Sequence, residues 1–172
     1  MPWKSWSSRA EICFNWAPVK AVENYLLKFE VKVKPLPQPR PRFTTIAGHA
    51  RAYTPNNVMG QSFALYKKAI AAEAVKAGAE VVAVPLEAQI RCRISPPRSL
   101  FRKDGTLKSS SRPYPIAQRD GDVDNFGKGV LDALLGVAFQ DDGQVIRLTV
   151  TKEWALDSEE GIHVTIREVG LA

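Results

Sequence analysis

Asp122-Val123-Asp124-Asn125-Phe126-Gly127-Lys128-Gly129-Val130-Leu131-Asp132-Ala133-Leu134-Leu135-Gly136-Val137 is the most telling run of this chain. Phe126, Val130, Leu134 and Val137 recur at spacings of four, four and three, which predicts a helix over Val123–Val137 with one apolar face. Asp122 and Asp124 stand two apart in the extended entry to that helix, so their side chains leave on the same side. Asp124 and Lys128 are four apart and share a helix face, with Asp132 one turn further on. A second acidic pair, Asp141-Asp142, follows the apolar stretch Gly136–Phe139 and is expected to return to the same cluster. Carboxylates converging beside a lysine suit a divalent-metal site. The competing reading is a capping aspartate and an ordinary ion pair at four residues.

Outward from this helix the chain alternates in strand fashion. Leu27, Phe29, Val31 and Val33 share one side of Tyr25–Val33. Leu86, Ala88, Ile90, Cys92 and Ile94 share one side of Leu86–Ile94, leaving Glu87, Gln89, Arg91 and Arg93 outside. A long helical pattern opens at Pro55-Asn56, with Val58, Phe63, Leu65, Ile70, Ala74 and Val75 as its apolar side and Gly78 as its stop. Gln144–Trp154 and Gly161–Val169 read as strands joined by six residues, hence an antiparallel hairpin. Gly48–Tyr53 reads as a turn or short hairpin. The sum is an α+β domain over 24–172, one mixed or antiparallel sheet with two main helices. Residues 1–23, with three tryptophans and no periodicity, read as a poorly ordered extension.

The 172 residues suffice for one domain with a real core. No apolar run is long enough to span a bilayer, no signal-type segment opens the chain, and two distant cysteines fit a reduced, cytoplasmic protein. The charge is segregated. Lys32–Arg119 carries 16 lysines and arginines against 4 acids, whereas Asp120–Ala172 carries 4 against 11. A basic surface beside an acidic centre attracts a polyanion and needs cations to let it approach the acids. The Pro35–Arg42 arm, rich in proline and therefore extended, carries Arg40 and Arg42, and Arg51 follows. Pro96–Gln118 has no periodicity and reads as a mobile basic loop bearing Arg98, Arg102, Lys103, Lys108 and Arg112, with Arg119 just beyond. These nine are candidate phosphate contacts, which position a nucleic acid without reading bases. Phe43, Tyr53 and Phe101 are candidates for base stacking or for ordinary packing.

Two look-alikes fail. Asp120-Gly121-Asp122-Val123-Asp124 begins like a calcium loop, but Asn125 and Leu131 occupy its glycine and glutamate positions. Gly127-Lys128 lacks the following Ser or Thr of a phosphate loop. His49 and His163 fall in no zinc or nucleophile pattern. The residues together point to hydrolysis of phosphodiesters by carboxylate-held cations, one activating water and one stabilising the leaving oxygen.

Asp122-Val123-Asp124-Asn125, then Lys128, Asp132-Ala133-Leu134 and Asp141-Asp142-Gly143-Gln144-Val145, resembles the RusA family of Holliday junction resolvases. Pro39–Phe43 and Tyr53-Thr54-Pro55 are similar to longer, phage-associated members. The resemblance, over roughly residues 25–169, implies a homodimeric endonuclease dependent on Mg2+, with Mn2+ as a substitute, acting in DNA recombination and repair. It would bind four-way DNA junctions and nick two opposed strands symmetrically. Asp122, Asp124 and Asp142 would hold the metal and Lys128 would be the catalytic lysine, with Asp132 and Asp141 in support. Asp120 adds an acid to the approach, and Asn125 and Lys128 fix the frame on Asp122 and Asp124. A broader branched-DNA nuclease and a non-catalytic DNA-binding module remain the alternatives.

Overall fold

Alternation and helical periodicity resolve into eight elements in the computed structural model, which describes residues 25–39, 42–46, 49–53, 58–157 and 159–170. They are β1 (Tyr25–Val31), β2 (Arg42–Ile46), β3 (His49–Tyr53), α1 (Val58–Lys76), β4 (Leu86–Ile94), α2 (Val123–Leu134), β5 (Val145–Trp154) and β6 (Gly161–Glu168). The expected extension over 1–23 lies outside the described residues.

The main sheet has the order β1-β6-β4-β5, and β2 and β3 form a separate two-stranded hairpin. β4 pairs antiparallel with β6 and parallel with β5, so the sheet is mixed. A parallel pair needs a crossover, and α2 supplies it between β4 and β5. The expected β5–β6 hairpin is therefore corrected: β4 lies between the two strands. Their connection passes over the end of β4 instead of turning tightly. The Ala155 amide donates to the Ile94 carbonyl at 2.9 Å, Ser95 Oγ donates to Glu160 at 2.6 Å, and Arg93 pairs with Asp157. A six-residue link is long enough to step over one strand, about 4.8 Å to each side.

Both helices cover one face of the sheet. Leu27, Phe29 and Val31, Leu86, Ile90 and Cys92, and Ile162, Val164 and Ile166 meet Phe63, Tyr66, Ile70 and Ala74 of α1 and Phe126, Val130, Ala133 and Leu134 of α2. The apolar side of α1 is turned from the expected one: Tyr66 is buried, while Leu65 and Val75 are exposed. Tyr66 completes the 63, 66, 70, 74 spacing that a single helix face requires. α2 stops at Leu134, three residues early, because Gly136 adopts φ 73° and the Val137 amide bonds back to Leu134. Strands β1 and β6 likewise end two residues and one residue before the expected limits.

Two glycines let α2 lie close to its neighbours. A Cβ on Gly127 would stand 2.7 Å from Val150 Cγ2, and one on Gly129 would stand 3.1 Å from the Phe63 ring. The opposite sheet face is polar, with Arg91–Glu153 at 2.6 Å and Arg147–Glu87 at 3.3 Å tying β4 to β5. These exposed pairs contribute little individually.

Candidate active site and nucleic-acid interface

α2 runs antiparallel to β4 and β5, so its first turn stands at the carboxyl ends of those strands. Lys152, near the end of β5, donates its ammonium to the Gly121 carbonyl just before α2. Asp122 is the N-cap residue, extended at φ −88° and ψ 140°, and its carboxylate makes no capping bond. Asp124 and Lys128 are both exposed on the face turned away from the core. Asp132, one turn on, is half-buried.

Six acids were in contention, and their partners separate them. The Asp120 carboxylate is 7% exposed; it accepts from the Ala117 amide at 2.9 Å and pairs with Arg112 at 3.0 Å. It closes the turn before α2 and has little capacity left for a ligand. Asp132 accepts from Gln38 Nε2 at 2.9 Å. Asp141 caps the short 3-10 turn Asp142–Gln144, accepting from the Gly143 amide at 2.7 Å while Gln144 bonds back in a capping box. By contrast, the side chains of Asp124, Lys128 and Asp142 make no hydrogen bond or ion pair among the described residues. The two carboxylates among them, exposed and not committed to the fold, fit a hard divalent cation.

One expectation fails within a single chain. Asp142 does not return to Asp122 and Asp124, and among the described residues no three metal-ligating side chains cluster. The reason is topological. Gln144 anchors the 3-10 turn to the carbonyls of Val82 and Val84 at the start of β4, at 3.0 and 3.1 Å. Asp142 therefore sits at the end of the sheet opposite the first turn of α2. The 12 residues of α2 span about 18 Å, too far for carboxylates sharing one or two cations.

The basic segment after β4 is more organised than its composition suggests. It contains a 3-10 turn at Arg98–Leu100, a bridge between Phe101 and Leu107, and an Arg102 amide bond to Thr106 at 2.7 Å. Asp104 accepts two bonds from Thr106, which hold its carboxyl below the ordinary value. Arg102 and Lys103 project at the tip of this finger, and Arg98 and Arg119 are also exposed. Lys108 is exposed but donates to the Ser99 carbonyl at 2.7 Å. Arg112 departs from expectation: it turns inward, paired with Asp120 and lying 5.5 Å from the Trp154 ring centroid. Phe101 is half-buried within the finger. Arg40 lies outside the described residues; the backbones of Arg42 and Arg51 lie in the β2–β3 hairpin.

Two further residues support this region and escaped the sequence reading. Gln38 binds α2 twice, through its side chain to Asp132 and through its backbone amide to the Asn125 carbonyl at 3.0 Å. Lys152 is the other. A glutamine between prolines and a lysine at a core-facing strand position were the available signals.

A sequence model described as "Endodeoxyribonuclease RusA" matches residues 32–167, most of the chain. The chain belongs to the RusA endodeoxyribonuclease family. The match spans the arm, the basic finger, α2 and the second acidic pair, so the RusA domain includes every element of the candidate site. "Uncharacterized protein YqaN" from Bacillus subtilis (strain 168) is a relative, 31% identical over 145 residues, which is 83% of this chain and 96% of the relative. No helix among the described residues is long and apolar enough to cross a membrane.

Proposed function

We propose that this RusA-family chain is a divalent-metal-dependent endodeoxyribonuclease that resolves four-way DNA junctions in recombination and repair. It acts in the cytoplasm as a homodimer that nicks two opposed strands symmetrically. The observation that carries the reading is the division of labour among the acids. Asp120 and Asp141 accept from backbone amides and Asp132 from the Gln38 side chain, while Asp124 and Asp142 are exposed with no partner among the described residues. Asp122, Asp124 and Asp142 are the metal carboxylates, for Mg2+ with Mn2+ as substitute. When bound, such a cation lowers the pKa of the attacking water and offsets charge on the leaving oxygen.

The chain's own residues do the rest. Lys128, one turn from Asp124 on the same face, directs its ammonium at the scissile phosphate and stabilises charge that develops there. Arg98, Arg102, Lys103, Lys108 and Arg119, with Arg40, Arg42 and Arg51, hold the phosphates of the arms. Arg112 instead keeps Asp120 and the entry to α2 in place. A junction presents two equivalent strands, and a two-fold dimer presents two equivalent sites.

The test is nicking of a synthetic immobile four-way junction beside linear duplex of the same sequence, with and without Mg2+. Paired nicks on the junction alone, lost in Asp124→Asn while binding persists, are expected. Equal cutting of both substrates would replace the reading with a broader nuclease. Tight binding without nicks at any enzyme concentration would replace it with a binding module.

A further inference from the structure

The segment that leads into α2 carries two large apolar side chains that the fold leaves in water. We propose that Tyr114 and Ile116 form a wedge for the nucleobases at the branch point of the DNA, and that this wedge makes the chain selective for branched over linear substrate. The wedge rests on the endodeoxyribonuclease reading above.

Tyr114 is 62% exposed and Ile116 is 73% exposed, while Pro115 between them is fully buried. Single exposed apolar residues are ordinary on a protein surface. Here two of them flank a buried pin. The Ile116 amide donates to the Tyr114 carbonyl at 3.0 Å, closing a three-residue turn that the fixed φ of Pro115 suits. Both ends of the stretch are fastened around Asp120. At one end the Arg112 carbonyl accepts from Trp154 Nε1 at 3.2 Å, and the Arg112 guanidinium pairs with Asp120. At the other, the Ala117 amide donates to the Asp120 carboxylate at 2.9 Å and the Asp120 amide donates to the Ala117 carbonyl at 2.8 Å. That turn holds the Cα atoms of Ala117 and Asp120 within about 7 Å, and Asp122 follows two residues later. The pair is thus clamped beside the entry to the acidic site.

The surroundings name the partner. From Arg98 to Arg119 the chain carries six lysines and arginines against one acid, Asp104. Lysine is depleted where proteins bury surface against one another. An apolar pair on so cationic a segment matches a molecule with phosphates outside and flat apolar faces within, a nucleic acid opened at its bases. Aromatic rings stack on base faces, and aliphatic side chains such as isoleucine insert between base steps. In a linear duplex those faces are covered, and uncovering them costs stacking. At a branch point the stack is already broken, so the wedge gains there what it cannot gain on a duplex. Phe101, a stacking candidate by sequence, is half-buried in the finger; Tyr114 takes that role.

Fluorescence anisotropy without divalent cation tests the wedge, on an immobile four-way junction and on linear duplex of the same sequence. Wild type should prefer the junction. Tyr114→Ala combined with Ile116→Ala should lose about tenfold or more on the junction and less than about twofold on the duplex. Tyr114→Trp should keep the junction affinity and Tyr114→Leu should lose it, because stacking needs a ring. A 2-aminopurine at the branch point should change its emission when wild type binds and stay constant with the double variant. Neither side chain is buried, so thermal melting and Mn2+ binding should match wild type; Ile116→Thr alone carries the comparison if the double variant does not fold. Equal wild-type affinity for both DNAs, an undiminished junction preference in the variants, or an equal loss on both DNAs would overturn the proposal. A fall in the sedimenting mass of the double variant would assign the pair to a contact with a second copy and overturn it too. A wild type that prefers junctions but never nicks would sink the nuclease reading alone, with the affinities still deciding the wedge.

Discussion

Gly127 is where α2, and with it Asp124 and Lys128, is registered against β5. Replacing it with alanine sets two effects against each other. In a helix interior, alanine is favoured over glycine by about 0.5–1 kcal/mol. The new Cβ, however, stands 2.7 Å from Val150 Cγ2, and comfortable carbon contacts lie at about 3.5–4.0 Å. The missing distance must come from α2 or from a β-branched side chain held by the strand, and such overpacking costs about 1–3 kcal/mol. Gly127→Ala should therefore lower stability by about 1–2 kcal/mol and, by lifting the first turns of α2, weaken nicking. The pair with Val150→Ala is the sharper test. Without Val150 Cγ2, the nearest remaining atoms are Leu148 Cδ2 at 3.6 Å and the Cβ at position 150 at 3.7 Å, ordinary contacts. In the Val150→Ala background the same Gly127→Ala change should stabilise by about 0.5–1 kcal/mol, a reversal of sign. Urea unfolding of the four proteins at one concentration measures it. Equal destabilisation in both backgrounds would refute the claim that close packing on Val150 is why glycine stands here.

Arg112→Ala should lower stability by about 1–3 kcal/mol, because the enclosed Asp120 carboxylate loses its counter-charge. Arg102→Ala should leave stability within about 0.5 kcal/mol and reduce the salt dependence of junction binding by about one ion. Asp141→Ala should cost about 0.5–2 kcal/mol as the 3-10 turn loses its cap, whereas Asp142→Asn should be near neutral by thermal melting yet abolish nicking. Burial pushes the Cys92 thiol up to about 12 from its ordinary 9.0. In Cys13→Ser protein it should resist a maleimide at pH 8 until the chain unfolds. The folded thiol keeps its proton where the unfolded one has lost it, so this contribution to stability is full below pH 9 and declines as pH rises from 9 towards 12.

The β4 strand and the core face of α2 were legible because their burial is one-sided and periodic: Leu86, Ala88, Ile90 and Cys92 are all buried. The pairing of β5 was not. A short connector suggests neighbours, but whether it turns back or steps over a strand depends on contacts such as Ala155 to Ile94, which no local pattern encodes. The acidic motif announced its residue types and spacing. It did not announce that three of its acids are taken up as structural acceptors, because that depends on where the Ala117 and Gly143 amides and the Gln38 side chain lie. Nor did it reveal that the second acidic pair stands at the wrong end of α2 for a site within one chain. Arg112 misled for the same reason: composition gives charge, and only the fold gives its counter-charge.

Gln38 joins the proline-rich arm to α2 at Asn125 and Asp132, seven residues apart and so about 10 Å along one helix face. Up to residue 39 the arm is thus laid down as a splint instead of hanging as a tether. Its conformational freedom has already been surrendered on folding, so a phosphate gripped beyond it need not supply that ordering entropy a second time. A Gln38→Ala chain would keep every arginine and still bind DNA more weakly, the loss appearing as an unfavourable entropy in calorimetry.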